Sequence, residues 1–546
     1  MRSSLLVLVP LVAVSVFAAC GEEERPAGPG AGGSGGAGGG VASIGPIEWS
    51  ACSLGATALE CTEIDVPLDW SDPESGRISF FVRKYETKSE PRRGQLWFMQ
   101  GGPGYGAEGF VKGARYFADL GFDVYMPDYR GMGRSTPLAC EGEEDAGDVS
   151  PACTLEIGDR FGDGLRFFSS TGAALDIGKA IEAMRGDGDE IFVYGNSYGT
   201  YVANRYLTLF PDQADGAILD SICPPGGCSV HSERNLNRTA NLVFDLCGAD
   251  PECSARLSTD PWGRLADLLQ RLVDGHCPAF AQGHGAEVLP QILLYTVDSR
   301  LLSPVALATT YRLDRCDPED VSAVHTLVRQ LTGSSSFGPA DSAKYAAFAY
   351  WHILFSEFWD EGMTADELLA EADAQVVTTG QARLLVDRKA AWPIPSYRIP
   401  DELRRWADVT TPVLLLNGTL DARTPAADLA GIRDAFPHPG QTYVEVPFGG
   451  HGVMAEGVAE GGMGTCGFRM AATFIEDPVK GPDTSCLAGL ETLDLEGGGV
   501  PSQLLFGTAD LWENDVAAPA VRSVDPGFAG AFERAKERAA AAALGW

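Results

Sequence analysis

The chain has 546 residues, 45% of them apolar, and a formal charge of -34. That apolar share supports a buried core, and the length allows either several domains or one large domain carrying an insertion. The acidic balance argues against nucleic acid as a partner, because phosphates require clustered Lys and Arg, and it reads instead as a solvated surface.

Residues 1–20, MRSSLLVLVPLVAVSVFAAC, have a basic start at Arg2, an apolar run from Leu5 to Ala19 and a small-residue end. This is the pattern of an export signal, too short to span a bilayer. The ending FAAC resembles a bacterial lipobox with Phe17 where Leu is usual, so that Cys20 would carry the lipid and begin the mature chain; the alternative is an ordinary signal cut nearby. Residues 21–45 are Gly-rich and read as a flexible tether holding an exported body off a membrane.

Thirteen cysteines in an exported chain point to disulfides. With Cys20 lipidated, an even number remains, mostly in close pairs: Cys52 with Cys61, Cys140 with Cys153, Cys223 with Cys228, Cys247 with Cys253, and Cys466 with Cys486. Cys277 and Cys316 then pair by elimination. A metal reading of CPPGGC or CGADPEC finds no His or further Cys at zinc-finger spacing.

Along the body, ISFFVRKYE alternates like a half-buried strand, and QLWFMQ, FDVYMPD, IFVYG and AILDS are short apolar runs ended by turn residues. Helical patterns lie between them, DIGKAIEAMRG before IFVYG and YVANRYLTLF after it. Strands alternating with helices predict an α/β fold with a mostly parallel sheet. From 222 to 400 the pattern becomes helical, in PWGRLADLLQRLVDG, DVSAVHTLVRQL, AKYAAFAYWHILFSEFW and TADELLAEADAQ. Strand runs return with PVLLLNG and TYVEVPF. The expected organisation is therefore a sheet domain over 46–221 and 401–490, a helical cap over 222–400, and an extension over 491–546 that ends in an Ala-rich helix.

Acyl transfer needs a nucleophile, a base, a carboxylate that fixes the base's tautomer, and donors for the oxyanion. GNSYGT contains Gly-x-Ser-x-Gly, as does GGSGG at 32–36, but only Ser197 sits between a strand and a helix, the setting of a nucleophile elbow. Of seven histidines, His451 alone follows a late strand directly, in the glycine-rich loop FGGHG. Asp421 follows PVLLLNGTL in the same way, and Asp428 is the runner-up, placed in a following helix AADLAGIRDAF. The glycines of QGGPGYG, after QLWFMQ, let backbone donors approach the site. The N–H of Gly102 is the expected oxyanion donor, paired with the N–H of Tyr198.

QGGPGYG resembles the HGGPG loop of the proline iminopeptidases, DYRGMGRS is similar to their D-x-R-G-x-G-x-S turn, and GNSYGT to their G-x-S-Y-G elbow. NGTLDARTP and GGHG stand where that family has its acid and base, and the stretch from Trp49 to Lys84 resembles more narrowly the secreted tripeptidyl and prolyl aminopeptidase branch. The resemblance implies an α/β-hydrolase fold with a helical cap, no metal or organic cofactor, and peptide substrates shortened from free N-termini by serine-type catalysis through Ser197, Asp421 and His451. It also implies acidic cap residues that receive the substrate's α-ammonium, for which WHILFSEFW offers Glu357; the alternative is a solvated helix carboxylate. Gln100 and Gly106 depart from the family's usual residues and bear on substrate choice. Two other functions compete: ester hydrolysis by the same triad, and surface binding on a hydrolase fold without catalysis.

Overall fold

A computed structural model of the chain describes residues 43–142, 148–281, 285–332, 345–359, 362–454, 465–490, 492–497 and 501–515, together with Phe532 and Lys536. The chain divides into two units, Met1–Val41 and Ala42–Trp546, and all described residues belong to the second. The expected export signal, Cys20 and the expected tether through residue 42 lie outside the described residues, as does nearly all of the segment expected to form an Ala-rich C-terminal helix.

The apolar runs become one nine-stranded sheet in the order β1-β2-β3-β5-β4-β6-β7-β8-β9. Its strands are β1 (Ser50–Leu54), β2 (Thr57–Asp69), β3 (Asp72–Tyr85), β4 (Gly94–Met99), β5 (Phe122–Pro127), β6 (Glu190–Asn196), β7 (Gly216–Asp220), β8 (Val413–Gly418) and β9 (Gln441–Val446). The pairs from β5 through β9 are parallel, and the three pairs joining β1, β2, β3 and β5 are antiparallel. β1 and β2 form a hairpin that the sequence reading did not anticipate.

A parallel strand covered on both faces is apolar throughout, because successive side chains enter opposite layers. In β4 all six residues are buried. Leu96 and Phe98 join one core with Phe117 and Phe474, from the helices Val111–Asp119 and Cys466–Glu476. Trp97 and Met99 join the other core with Ile177 and Val202, from Ser170–Met184 and Tyr198–Leu209. The strand order reverses between β4 and β6, and in sheets of this kind the crevice beyond the strand ends at such a reversal is where ligands bind.

Between β7 and β8 the described residues form helices and no strand. Pro261–Val273, Pro318–Thr332 and Ala365–Asp373 lie where the sequence predicts them, while Ser232–Ala249, Val288–Thr296, Ser303–Arg315 and Gln381–Ala391 come in addition. Most of the buried apolar residues of this insertion build a core of their own, around Leu236, Phe244, Leu268, Leu293 and Leu307, which also takes in Phe506 and Trp512 from the C-terminal segment. The segment AFAYWHILFSEF packs instead on the sheet's core, as the helix Ala347–Ile353 followed by a π-helical turn, Leu354–Phe358.

The helix expected over AADLAGIRDAF is broken. Gly431, at φ +81, separates the 3-10 turn Ala426–Asp428 from the short helix Ile432–Ala435. All six expected cysteine pairs are disulfides, including Cys277–Cys316.

Candidate active site

Ser197 follows β6 and caps the helix Tyr198–Leu209 with φ +55 and ψ -125, a conformation that side chains rarely adopt and that marks strained, functional turns. Its flanking glycines are dictated by space. A Cβ on Gly195 would stand 2.6 Å from the carbonyl oxygen of Gly199, and a Cβ on Gly199 would overlap the carbonyl oxygen of Met99 at the end of β4. The turn therefore presses against the neighbouring strand, and the serine stands where β4 and β6 diverge.

His451 and Asp421 sit on the turns after β9 and β8. The imidazole Nδ1 lies 3.0 Å from each carboxylate oxygen of Asp421, so Nδ1 donates its proton and Nε2 is left as an acceptor. Asp421 is fully buried and also accepts the backbone N–H of Arg423 at 2.9 Å, the N–H of Thr424 at 2.8 Å and the Thr424 hydroxyl at 2.7 Å. Burial alone would raise its pKa, but the imidazole and the donors from Thr424 outweigh burial and hold the carboxyl below its ordinary value.

Among the described residues the Ser197 hydroxyl makes no hydrogen bond to the imidazole. The two turns meet through the end of β7. The backbone N–H of Ser197 donates to the carbonyl of Asp220 at 2.9 Å, and the N–H of Gly452 donates to the hydroxyl of Ser221 at 2.7 Å. Such looseness between nucleophile and base is common before substrate binds. The backbone of His451 also reaches the insertion, its N–H donating to the carbonyl of Asp298 at 3.3 Å.

The QGGPGYG loop lies directly against the serine, since a Cβ on Gly101 would stand 3.1 Å from that of Ser197. The N–H groups of Gly102 and Tyr198 make no hydrogen bond among the described residues, as oxyanion donors require. The DYRGMGRS turn holds this loop in place. Buried Asp128 accepts the N–H of Ala107 at 2.8 Å and pairs with Arg83 at 2.7 Å, and the Tyr129 hydroxyl donates to the carbonyl of Gln100 at 3.0 Å. A Cβ on Gly106 would crowd the Glu108 carboxylate and stand 3.0 Å from Asp128 Oδ1.

Glu357 is not a solvated carboxylate. It is fully buried in the π-helical turn, where Oε1 accepts the N–H of Ser170 at 2.9 Å and the Tyr397 hydroxyl at 2.5 Å. Oε2 lies 3.9 Å from Arg205 and takes no hydrogen bond among the described residues. Asp428, the runner-up acid, pairs with Arg238 at 2.9 Å and Arg234 at 3.4 Å rather than with a histidine. Sequence reasoning missed Thr424 and Asp220. The signal for Thr424 was present in D-A-R-T, since an Asp readily accepts the backbone N–H groups two and three residues on; the signal for Asp220 was a carboxylate closing the apolar run AILD.

A sequence profile described as the alpha/beta hydrolase fold matches residues 96–245. The chain is similar to the tripeptidyl aminopeptidase of Streptomyces lividans, 26% identical over 228 residues that cover 35% of this chain and 41% of that protein. It is also similar to the serine protease Hip1 of Mycobacterium tuberculosis, 24% identical over 267 residues, covering 42% of this chain and 50% of that protein. The match thus spans half or less of the length of these curated relatives. Among solved structures, a thermophilic esterase from Thermogutta terrifontis is 16% identical with a TM-score of 0.27, over 69% of this chain and 88% of that one. The chain has the alpha/beta hydrolase fold, and its sequence is distantly similar to those of a tripeptidyl aminopeptidase and a serine protease.

Proposed function

We propose that this chain is an exported serine hydrolase that removes short units from free peptide N-termini through an acyl-enzyme on Ser197. The observation that carries the reading is the Asp421–His451 pair on the turns after β8 and β9, tied through β7 to a serine held at φ +55. His451 takes the proton of Ser197 as the hydroxyl attacks the carbonyl. The oxyanion rests on the N–H groups of Gly102 and Tyr198, and Asp421 stabilises the imidazolium. The amine leaves with that proton, and water releases the acyl group through the same base. The helices over 222–400 act as a cap that sets which substrates reach the serine, and Glu357 supplies negative charge for the substrate's ammonium.

The similarity to a tripeptidyl aminopeptidase favours peptides over simple esters. Six disulfides support an oxidising, extracellular setting, and Cys20 is the proposed lipid anchor. The test is a panel of free and N-blocked mono-, di- and tripeptide chromogenic substrates and simple esters, run on the wild type and on Ser197→Ala. Faster cleavage of free-amine peptides, abolished in Ser197→Ala, is the expected result. Full turnover by that variant sinks the serine mechanism, and preference for esters sinks the peptidase reading.

A further inference from the structure

Asp220 is a fully buried carboxylate that the proposed acyl transfer does not use. It closes β7, between the strand that leads into Ser197 and the strand that leads into Asp421. Its Oδ1 accepts the backbone N–H of Val453 at 2.8 Å, and its Oδ2 accepts the N–H of Met454 at 3.0 Å and the Tyr194 hydroxyl at 2.9 Å. Its own carbonyl accepts the N–H of Ser197 at 2.9 Å and the side-chain amide of Asn196 at 3.3 Å. Ser221, at φ +59 in the left-handed region, takes the N–H of Gly452. Three consecutive N–H groups directly after His451 are therefore held by two residues, the first of which also holds the nucleophile's own N–H.

We infer that Asp220 is a positioning residue, which locks the turn carrying His451 to the turn carrying Ser197 and so sets where the imidazole stands against the serine hydroxyl. The chemistry of its donors calls for an anion. Two adjacent amide N–H groups and a phenol all point at one side chain, and a carboxylate supplies acceptors on both oxygens. An amide of the same shape would turn its NH2 toward one of these donors. Burial pushes the Asp220 carboxyl up to about 6 against the pull of these bonds, so the fold keeps a costly charge where a neutral group would be easier to bury. The titratable groups that face it are Tyr194 from β6 and His451 from the turn after β9. Asp220 is not a second acid partner, because the imidazole's Nδ1 is engaged by Asp421.

The inference rests on Ser197 being the nucleophile, and the experiment keeps the two apart. The full-length Asp220→Asn variant is compared with wild type and Ser197→Ala for kcat and KM on a free-amine peptide chromogenic substrate, for the rate of fluorophosphonate labelling, and for thermal unfolding by circular dichroism. A displaced imidazole lowers kcat and the labelling rate together by about 100-fold while KM stays at its wild-type value. Tyr194→Phe, which removes one donor and leaves the anion, gives a smaller fall in the same two quantities. A folded Asp220→Asn with wild-type kcat beside an inactive Ser197→Ala overturns this inference alone; turnover by Ser197→Ala overturns the serine reading instead. Should Asp220→Asn not fold, Tyr194→Phe and Ser221→Ala decide: a lowered kcat at unchanged KM supports the positioning role, and wild-type kcat in both overturns it.

Discussion

The strand ends and the helical insertion are held together by different kinds of bond. At the strand ends, Ser197, Asp421 and His451 stand on turns fixed mainly by backbone N–H groups, and glycines are placed where one more carbon would collide with a neighbouring chain. The insertion relies on side chains from distant parts of the sequence. Fully buried Arg312 reaches the carbonyls of Asp510, Leu511 and Glu513, the side chains of Thr508 and Asn514, and Asp320. Backbone bonds tie the turns of the site to the sheet, whereas a side-chain hub ties the insertion to the C-terminal segment.

The contrast breaks most directly at the acid. Asp421→Asn keeps the shape of the site but offers the imidazole the wrong tautomer, and kcat should fall about 10,000-fold with the fold intact. Asp421 is held below its ordinary pKa, so its ionisation contributes stability that is fully present above the unfolded-state value near pH 4 and lost as pH falls through the folded value. Melts followed down to acid should therefore show a shallower loss of stability in the variant than in wild type. A variant retaining even a tenth of wild-type kcat would mean that another carboxylate serves His451.

The insertion side of the contrast is sharpened by Arg312→Ala. Removing this cation leaves several buried carbonyls without a donor while Asp320 keeps Arg315 at 2.7 Å, at a cost of roughly 1–3 kcal/mol. Thermal unfolding should shift down accordingly, while fluorophosphonate labelling of Ser197 in the folded fraction stays at the wild-type rate. Slower labelling would show that the hub constrains the site after all. The smallest effect is expected where the two regions meet. Glu357→Gln removes the proposed partner of the substrate's ammonium and should raise KM for free-amine peptides about tenfold, leaving N-blocked substrates unchanged. Equal changes for both substrate types would make Glu357 a purely structural partner of Arg205, Ser170 and Tyr397.

The same contrast governs what could be read without coordinates. IFVYG and PVLLLNG with the turns after them are local patterns, and each becomes a strand with a candidate site residue, Ser197 or Asp421, just beyond its C-terminal end. Gly195 and Gly199 were legible because close backbone approach leaves no other residue possible. Asp128, Asp220 and Glu357 are different: each takes its meaning from partners on separate elements, up to 234 residues away in the case of Asp220 and Met454. No spacing rule encodes such contacts. The helix Ser232–Ala249 was hidden in a milder way, since SERNLNRT opens it with polar residues although Leu236, Ala240, Val243 and Phe244 share its buried face.

The disulfides carry a consequence of their own. Each closes a ring of between 5 and 39 residues in sequence separation, and none joins the insertion to the sheet segments that follow it. The oxidised protein is a string of small rings rather than a cage. A single proteolytic cut between Cys316 and Cys466 would leave two pieces with no covalent link, held together by packing, hydrogen bonds and ion pairs such as Arg238–Asp428.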